Sequence, residues 1–292
     1  MNRTTSLYIL LAFTILIWGN SFIVVDIAIR DGSSPVLIGM GRLLLASGIF
    51  GIYVVRTRPK APAGKDLWRF GYLAFVGIGI YYVLQYYGVK LAGPSITAIL
   101  VTLLSPIMIF LLSSLRLNER LMKEQAVGIS VAAIGSFLVI TGGNLSFESN
   151  QWTLVGGLLG AVCAFFWAVY TVGGKMVLER HRALPSTAYL TIMGTMMMAP
   201  FAVVDAKFNP PVLTSSYFFA VLYLGVLCTV VGHFLWFRVL GELTASSTGS
   251  SLFLEPVVTV FFAWIILGQG IGWAACMGGI LVVAGVVLVS RR

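Results

Sequence analysis

Glu255 stands beside Pro256 in the stretch SLFLEPVVTV, inside a long run of apolar and small residues. An acidic residue near the centre of a membrane helix costs roughly 3 kcal/mol to insert, so such residues usually face the bundle interior and mark a pathway. Three roles are open for Glu255. It binds a cationic group of a ligand, carries a proton, or forms a structural pair with Arg42 or His233.

His233 is a second titratable side chain within an apolar run. Thr229 precedes it by four residues and Trp236 follows it by three, so all three are predicted to share one helical face. Imidazole changes its charge near neutral pH, which makes proton coupling one role for His233. A hydrogen bond between helices is the other.

Polar-tipped aromatic residues recur at helical spacing in two further runs. Tyr81 and Gln85 lie four residues apart, and Trp167 and Tyr170 lie three apart. Trp18, Tyr81 and Trp167 are too far from the ends of their runs to be interfacial anchors. Ligand sites are mostly apolar with a few convergent polar groups, so these side chains are candidates for lining such a site.

Small, hydroxyl and proline residues supply the remaining candidates. Thr97 and Ser251 stand in small-residue stretches that allow close helix packing, and their hydroxyls are additional candidates for binding a ligand. Pro106 and Pro256 each remove a backbone donor inside an apolar run, which predicts either static kinks or hinges. Arg42 is predicted to snorkel or to pair internally.

No recognised catalytic or nucleotide-binding motif occurs in the chain. A phosphate-cradling G-x-x-x-x-G-K-[ST] pattern is missing, as are H-E-x-x-H and G-x-S-x-G. The three cysteines, Cys163, Cys228 and Cys276, stand singly and are predicted to be small core residues. The sequence therefore predicts no catalytic residue, no metal site and no cofactor.

The elements that position these residues follow from composition. The 292 residues are 59% hydrophobic and 10% charged, and the mean hydropathy is +0.97. These values lie in the membrane class rather than the soluble globular range. A spanning helix needs roughly 20 mostly apolar residues. Ten such spans are predicted at about 7–25, 36–55, 70–89, 94–115, 126–143, 152–174, 186–204, 217–237, 244–268 and 271–290.

Basic residues predict the orientation of these spans in the bilayer. Most of the 19 Lys and Arg residues fall in the segments that share one side with the N-terminus. The positive-inside rule therefore places both termini in the cytoplasm, and the protein in the cytoplasmic (inner) membrane. The first span lacks a small-residue cleavage pattern and is predicted to be retained. The net charge of +9 then reflects residues that flank helices near anionic lipid, so nucleic acid is not a predicted partner.

The two halves of the chain repeat the same order of features. Leu104, Pro106 and Leu117 recur as Leu254, Pro256 and Leu267, 150 residues later. The predicted domains are a five-helix repeat over 1–143, an outer linker over 144–151 and a second five-helix repeat over 152–292. Because five is odd, the second repeat enters the membrane from the opposite side. Inverted repeats of this kind are typical of secondary transporters.

The fourth and ninth spans carry the clearest match between the halves. They read LAGPSITAILVTLLSPIMIFLLSSLRLNER and GELTASSTGSSLFLEPVVTVFFAWIILGQG. Each opens with small or hydroxyl residues, reaches a central proline and then becomes bulky and apolar. Trp18 and Trp167 occupy the middle of the first and sixth spans, and Arg42 stands in GRLLLA. On these residues the whole chain resembles the drug/metabolite transporter superfamily, specifically its EamA-type members.

The resemblance implies a secondary transporter that exports amino acids or other small metabolites through a cavity between the halves. The fourth span ends in Asn118 and Glu119, as the family pattern does. The ninth ends in Gly268 and Gln269, where that pattern usually has an acid, so no role for an acid pair carries over. The expected partners are a small-molecule substrate, the lipid bilayer and protons as a candidate coupling ion. A monomer or a homodimer is expected.

Two alternatives stay open at this point. The first is multidrug efflux of lipophilic cations, which Glu255 and the aromatic residues would serve through charge pairing and cation–π contacts. The second is a membrane receptor or enzyme without transport activity. The inverted repeat favours transport over this second alternative.

Overall fold

The computed structural model describes residues 3–119, 122–142, 151–267 and 272–290, and the described residues are almost entirely helical. The helices are α1 (Arg3–Trp18), α2 (Ser21–Arg30), α3 (Pro35–Thr57), α4 (Lys65–Ala74), α5 (Ile80–Leu117), α6 (Lys123–Thr141), α7 (Gln151–Leu178), α8 (Ala183–Phe208), α9 (Ser215–Leu222), α10 (His233–Leu240), α11 (Ala245–Ser250), α12 (Glu255–Leu267) and α13 (Trp273–Ser290). Two π-helical segments, Phe75–Gly79 and Tyr223–Gly232, and a 3₁₀ segment, Ser251–Leu254, join helices without a loop.

Within the described ranges, seven helical stretches are long and apolar enough to cross a bilayer. One of them, Lys65–Leu117, has 53 residues. At 1.5 Å per residue it is about 80 Å long, more than twice the roughly 30 Å hydrocarbon core. It therefore holds more than one crossing, and it bends at Gly93, whose φ of 80° lies in the left-handed region. The protein is a multi-pass α-helical membrane protein, and the total of ten crossings stays a prediction.

Each predicted span overlaps an observed helix, but several helices extend further than the hydropathy pattern. The first span becomes α1 and α2, separated by Gly19 and Asn20, and the third and fourth form one stretch through Gly93. The extensions are polar, as at Lys65, because a helix continues into the headgroup region where charged side chains are solvated. The predicted linker 144–151 lies almost wholly outside the described residues, as do Gly268 and Gln269.

Contacts at one end of the bundle show which helix ends lie together. Arg3, at the start of α1, donates hydrogen bonds to the Glu242 carboxylate at 2.8 and 2.6 Å. Lys175, near the end of α7, donates to the carbonyls of Leu240 and Leu243 at 2.7 Å each. Therefore α1 begins where α7 and α10 end. We call this the basic end.

The opposite end brings other termini together. Ser34, just before α3, donates to the Asp205 carboxylate near the end of α8 at 2.6 Å. Ser33 donates to the carbonyl of Val212, just before α9, at 3.0 Å. The first helix of the first half, α1, begins at the basic end, whereas the first helix of the second half, α7, ends there. The two halves therefore run in opposite directions through the membrane.

The two π-helical segments occupy matching places in the halves, between α4 and α5 and between α9 and α10. Each π turn holds more residues than an α turn, so the angular spacing of side chains changes along it. Thr229, His233 and Trp236 were predicted to share one face on the basis of α-helical spacing. Thr229 lies in the π segment, so that spacing does not apply between Thr229 and His233. π-Helical turns are frequent at functional sites.

Helices α6 and α13 pack through glycines. A Cβ atom at Gly135 would lie 2.6 Å from the Gly278 carbonyl oxygen and 2.7 Å from the Val282 backbone nitrogen. Backbone atoms cannot move away as a flexible side chain can, so larger residues are excluded here. These glycines bring α6 and α13 into close contact, as small residues do in membrane helices.

Gly135→Val is expected to destabilise the protein, because overpacking of this kind costs about 1–3 kcal/mol. Thermal unfolding in detergent should show a melting temperature several degrees below that of the wild type. Gly48→Val is the matched control, since Gly48 lies in α3 with open space around it. Equal melting temperatures for the two variants would contradict the glycine contact between α6 and α13.

Candidate functional site

A cavity of about 50 Å³ lies between the two halves of the protein. We call it the central cavity. It has room for a few water molecules, each of which needs at least about 10–15 Å³. Six of the ten predicted ligand-binding residues line it: Trp18, Tyr81, Gln85, Trp167, His233 and Glu255.

Glu255 is the first residue of α12 and is 6% exposed. No described residue donates a hydrogen bond to its carboxylate or forms an ion pair with it, so the pairs with Arg42 and His233 considered from the sequence do not form. A buried carboxylate without a partner is costly. Glu255 therefore borders the central cavity with its hydrogen-bonding capacity unused.

Pro256 explains how Glu255 reaches this position. It is the second residue of α12 and directly follows the 3₁₀ segment, so it removes a backbone donor at the junction between the two helical geometries. The 3₁₀ segment Ser251–Leu254 precedes it, and such a stretch within a helix often marks a hinge. Pro106, its counterpart, lies inside α5, and α5 continues through it with helical φ and ψ. The two halves therefore differ in local geometry at the matching prolines.

An aromatic layer adjoins the central cavity. The ring centroids of Trp18 and Trp167 are 5.3 Å apart, and each lies 5.3–5.8 Å from those of His233 and Trp236. Tyr170 packs against Trp167 at 5.4 Å. Tyr170 and Trp236 lie one layer behind the cavity wall. Tyr170 in α7 and Trp236 in the continuous helical stretch Ser215–Leu240 both lie closer to the basic end than to the opposite end. The aromatic layer therefore separates the central cavity from the basic end.

Four polar atoms of the aromatic layer have no hydrogen-bond partner among the described residues. They are Trp167 Nε1, the Tyr170 hydroxyl, His233 Nδ1 and Trp236 Nε1. The other His233 nitrogen, Nε2, lies 2.9 Å from the Tyr82 hydroxyl. Each buried polar group without a partner costs about 1–3 kcal/mol. The aromatic layer is therefore closely packed, but these four polar atoms are left without hydrogen bonds.

Three predicted residues have local hydrogen-bond partners. Gln85 donates to the Tyr81 hydroxyl at 3.1 Å, so these two cavity residues are linked. Thr97 and Ser251 do not line the central cavity. Their hydroxyls donate to backbone carbonyls three or four residues earlier in the chain, at 2.9 and 2.7 Å. Those positions serve close helix packing in this conformation.

Arg42 is a cavity residue that was not among the predicted ligand-binding residues, since snorkelling or an internal pair was predicted for it. It lines the central cavity and is 3% exposed, so it does not snorkel to the interface. Its Nε and Nη2 atoms donate to the Thr229 hydroxyl at 3.0 and 2.8 Å, and Nη1 donates to the Tyr86 hydroxyl at 2.6 Å. The Tyr82 ring lies 4.1 Å from its Cζ. Its position about two turns into an apolar helix was the signal that could have revealed it.

A second cavity of about 500 Å³ lies toward the opposite end, between Arg30, Pro94 and neighbouring side chains. We call it the vestibule. Phe22, Thr102 and Glu255 line both the vestibule and the central cavity. The vestibule therefore leads from the opposite end to Glu255.

The basic end is held together by a network that we call the basic-end seal: Tyr8, Ser113, Glu119, Ser246 and Ser247. The Glu119 carboxylate accepts hydrogen bonds from the backbone N–H of Ala245 at 2.7 Å and from the Ser246 hydroxyl at 2.6 Å. The Ser113 and Ser246 hydroxyls are 2.8 Å apart, and those of Tyr8 and Ser247 are 3.1 Å apart. These bonds join α1 and α5 to α11.

Arg3 and Arg238 add ion pairs outside this network. The Glu242 carboxylate lies 2.6 Å from Arg3 and 2.8 Å from Arg238. The hydrogen bond from Arg3, with help from Arg238, holds the pKa of Glu242 below its usual range. Both arginines are exposed, so the pairs orient the loop more than they stabilise it.

The described residues contain no group of three or more His, Cys, Asp or Glu side chains that could hold a metal ion. The cavity instead offers one carboxylate, one guanidinium, several hydroxyls and aromatic rings. That set suits reversible binding of a small polar molecule.

Comparisons with known proteins agree with this geometry. A sequence model of the EamA-like transporter family matches the chain twice, at residues 5–141 and 154–291. An uncharacterized transporter of Archaeoglobus fulgidus is 31% identical, over 100% of this chain and 99% of its own. A probable terminal-alkyne amino-acid exporter of Streptantibioticus cattleyicolor is 27% identical over 97% of this chain and 92% of its own.

A probable amino-acid metabolite efflux pump of Salmonella typhimurium is 24% identical over 93% of this chain and 90% of its own. One solved crystal structure shares the fold with a TM-score of 0.79, at 21% identity over 98% of this chain and 96% of that one. The double match of the family model agrees with the two inverted halves. The chain therefore belongs to the EamA-like transporter family.

Proposed function

We propose that this protein is a secondary transporter that exports amino acids or related small metabolites across the cytoplasmic membrane by alternating access. The observation that carries the proposal is Glu255, a buried carboxylate without a partner among the described residues, at the boundary between the central cavity and the vestibule. An intramembrane acid in such a position marks a substrate or ion pathway.

Unequal access from the two ends supports alternating access. The vestibule leads from the opposite end to Glu255, whereas the aromatic layer and the basic-end seal separate the central cavity from the basic end. With the basic end in the cytoplasm, as the positive-inside rule predicts, this conformation is open to the outside.

The second conformation would open the basic end and close the vestibule. Inverted halves can exchange conformations, so the same chain can reach both states. The unpaired atoms of Trp167, Tyr170, His233 and Trp236 support this reading, because water or substrate entering from the basic end would satisfy them.

Two relatives whose names refer to amino-acid export or efflux favour amino acids over other substrates. The cavity agrees with that class, since Glu255 would bind an ammonium group and the aromatic side chains would contact an apolar part. Glu255 and His233 are the groups at the cavity through which proton antiport would run. Efflux of lipophilic cations stays the competing reading, because a carboxylate among aromatic rings also suits such molecules.

Counterflow tests the proposal. Purified protein is placed in liposomes preloaded with an unlabelled amino-acid mixture, and the entry of tritiated amino acids is followed. We expect entry several-fold above that of protein-free liposomes. No entry of any amino acid, together with transport of a cationic dye by the same folded protein, would overturn the amino-acid assignment. Failure of both, with the protein folded, would overturn secondary transport.

A further inference from the structure

We propose that the central cavity recognises zwitterions, with Glu255 binding an ammonium group and Arg42 binding a carboxylate of the same molecule. This inference rests on the proposed transport function and narrows its substrate class to free amino acids and analogues that carry both charges. The juxtaposition that carries it is a buried guanidinium and a buried carboxylate that line one cavity without pairing with each other.

Arg42 retains unused donors that face no carboxylate. A guanidinium has five N–H donors, and three are used by Thr229 and Tyr86. Among the described residues, no carboxylate lies within ion-pair distance of Arg42; its partners are neutral hydroxyls and the Tyr82 ring. Each Nη atom therefore keeps one N–H for another acceptor. A substrate carboxylate fits, because guanidinium and carboxylate match in a two-pronged geometry.

Thr229 and Tyr86 fix the orientation of this guanidinium. Thr229 accepts from two of its nitrogens and in turn donates to the Leu224 carbonyl at 2.8 Å, a bond that runs along the π-helical segment. Tyr86 holds the third nitrogen from α5. The Arg42 side chain is thus clamped between helices of both halves and needs little reordering when a ligand binds.

A site that contains both Glu255 and Arg42 excludes ligands that carry only one charged group. An amine would neutralise Glu255 and leave the buried Arg42 charge uncompensated, whereas a simple carboxylate would do the reverse. Uncompensated buried charge is strongly unfavourable. A zwitterion neutralises both groups at once. The vestibule, which begins at Glu255, provides space for the variable side chain of the substrate.

The test compares amino acids with analogues that lack one charge. Counterflow of tritiated amino acids into liposomes is inhibited with unlabelled leucine, phenylalanine, their methyl esters and their N-acetyl forms. For the wild type we expect the esters and N-acetyl forms to inhibit at least about 100-fold more weakly than the free acids, since a site built around polar groups rejects analogues that leave them unpaired. Inhibition by the esters as strong as by the free acids would overturn the inference without any variant.

Arg42→Gln should lose most of the discrimination between free acid and ester, and Arg42→Lys should keep part of it because the charge remains. Arg56→Gln is the matched control, as Arg56 is exposed at the other end of α3. The shift in melting temperature that each compound causes in detergent supplies a readout that needs no flux and reports folding. If wild-type protein transports amino acids but Arg42→Gln keeps the acid-to-ester ratio, the Arg42 assignment fails while the transport function stands. If wild-type protein moves no amino acid, the proposed function itself has failed.

Discussion

Glu255→Gln is expected to lower amino-acid counterflow at least about 100-fold while leaving the protein folded. The substitution keeps the size of the side chain and removes the charge that would hold an ammonium group. Removing one partner of a buried charged pair costs about 2–5 kcal/mol, and each 1.4 kcal/mol is a tenfold change. The measurement is the initial rate of counterflow at equal amounts of reconstituted protein.

The stability of the same variant separates a substrate-binding role from a structural one. The Glu255 carboxylate has no partner among the described residues, so its replacement by an amide of similar size breaks no hydrogen bond or ion pair. We therefore expect Glu255→Gln to melt at the wild-type temperature or above it. A structural pair would give the reverse, since removing one member of a buried pair is strongly destabilising.

Glu179→Gln is the matched control for this experiment, because Glu179 is an exposed acid just after α7 and away from both cavities. It should keep wild-type counterflow and melting temperature. Wild-type flux in Glu255→Gln would exclude Glu255 from the working site. A large loss of melting temperature in Glu255→Gln would instead assign it to packing.

The Glu119→Gln substitution is expected to raise the fraction of protein molecules whose basic end is open. The Glu119 carboxylate accepts hydrogen bonds from the backbone N–H of Ala245 and from the backbone and hydroxyl of Ser246. An amide can accept through one oxygen only and carries no charge. Hydrogen bonds to charged groups contribute about 1.5–3 kcal/mol, so the population of the open basic end should rise at least about tenfold.

A thiol reporter in the basic-end seal measures this opening. Cys163, Cys228 and Cys276 are first replaced by alanine, so that the reporter is the single thiol of the protein. The reporter is Ser247→Cys, because Ser247 is only 7% exposed in this conformation and its labelling therefore reports opening of the basic end. Inverted membrane vesicles, which present the predicted cytoplasmic side, are treated with a maleimide that does not cross membranes. We expect Glu119→Gln to raise the labelling rate about tenfold or more over the same reporter alone.

The control for this experiment is Glu124→Gln, an exposed acid in the first turn of α6 that does not join the basic-end seal. Its labelling rate should match that of the reporter alone. Equal rates with and without Glu119→Gln would show that Glu119 does not hold the basic end closed. Faster labelling from the other face of the membrane would contradict the predicted orientation.

The positions of the helices could be predicted from the sequence because hydropathy is a local signal. A long apolar run predicts a membrane helix wherever it occurs, and the observed ends of α3 and α8 lie within a few residues of the predicted ones. The repeat was visible because the matching prolines, Pro106 and Pro256, stand at the same place in each half. Their different surroundings, a continuous helix and a 3₁₀ turn, were not visible.

The candidate site was only partly accessible from the sequence. Residue type and depth in a span pointed to Glu255, His233 and Trp18, all of which line the central cavity. Hydroxyl residues in small-residue stretches, Thr97 and Ser251, were also candidates, and their hydroxyls bond to nearby carbonyls of the same helical stretch. Hydroxyl residues can satisfy themselves on a nearby carbonyl, and sequence alone does not show which of them do so.

By itself, the sequence determined that this chain crosses a membrane repeatedly, that its basic residues gather at one end and that its halves repeat. Hydropathy, the positions of charged residues and the order of features in each half are all properties of the linear sequence. The tertiary structure decided which side chains meet. Arg42 bonds to Thr229, 187 residues away, and the Glu255 carboxylate has no partner among the described residues. The rotation and crossing of helices set such contacts, and the π-helical and 3₁₀ segments alter that rotation in ways no regular spacing predicts. For this reason the buried charges could be found in the sequence, but their arrangement around one cavity could not.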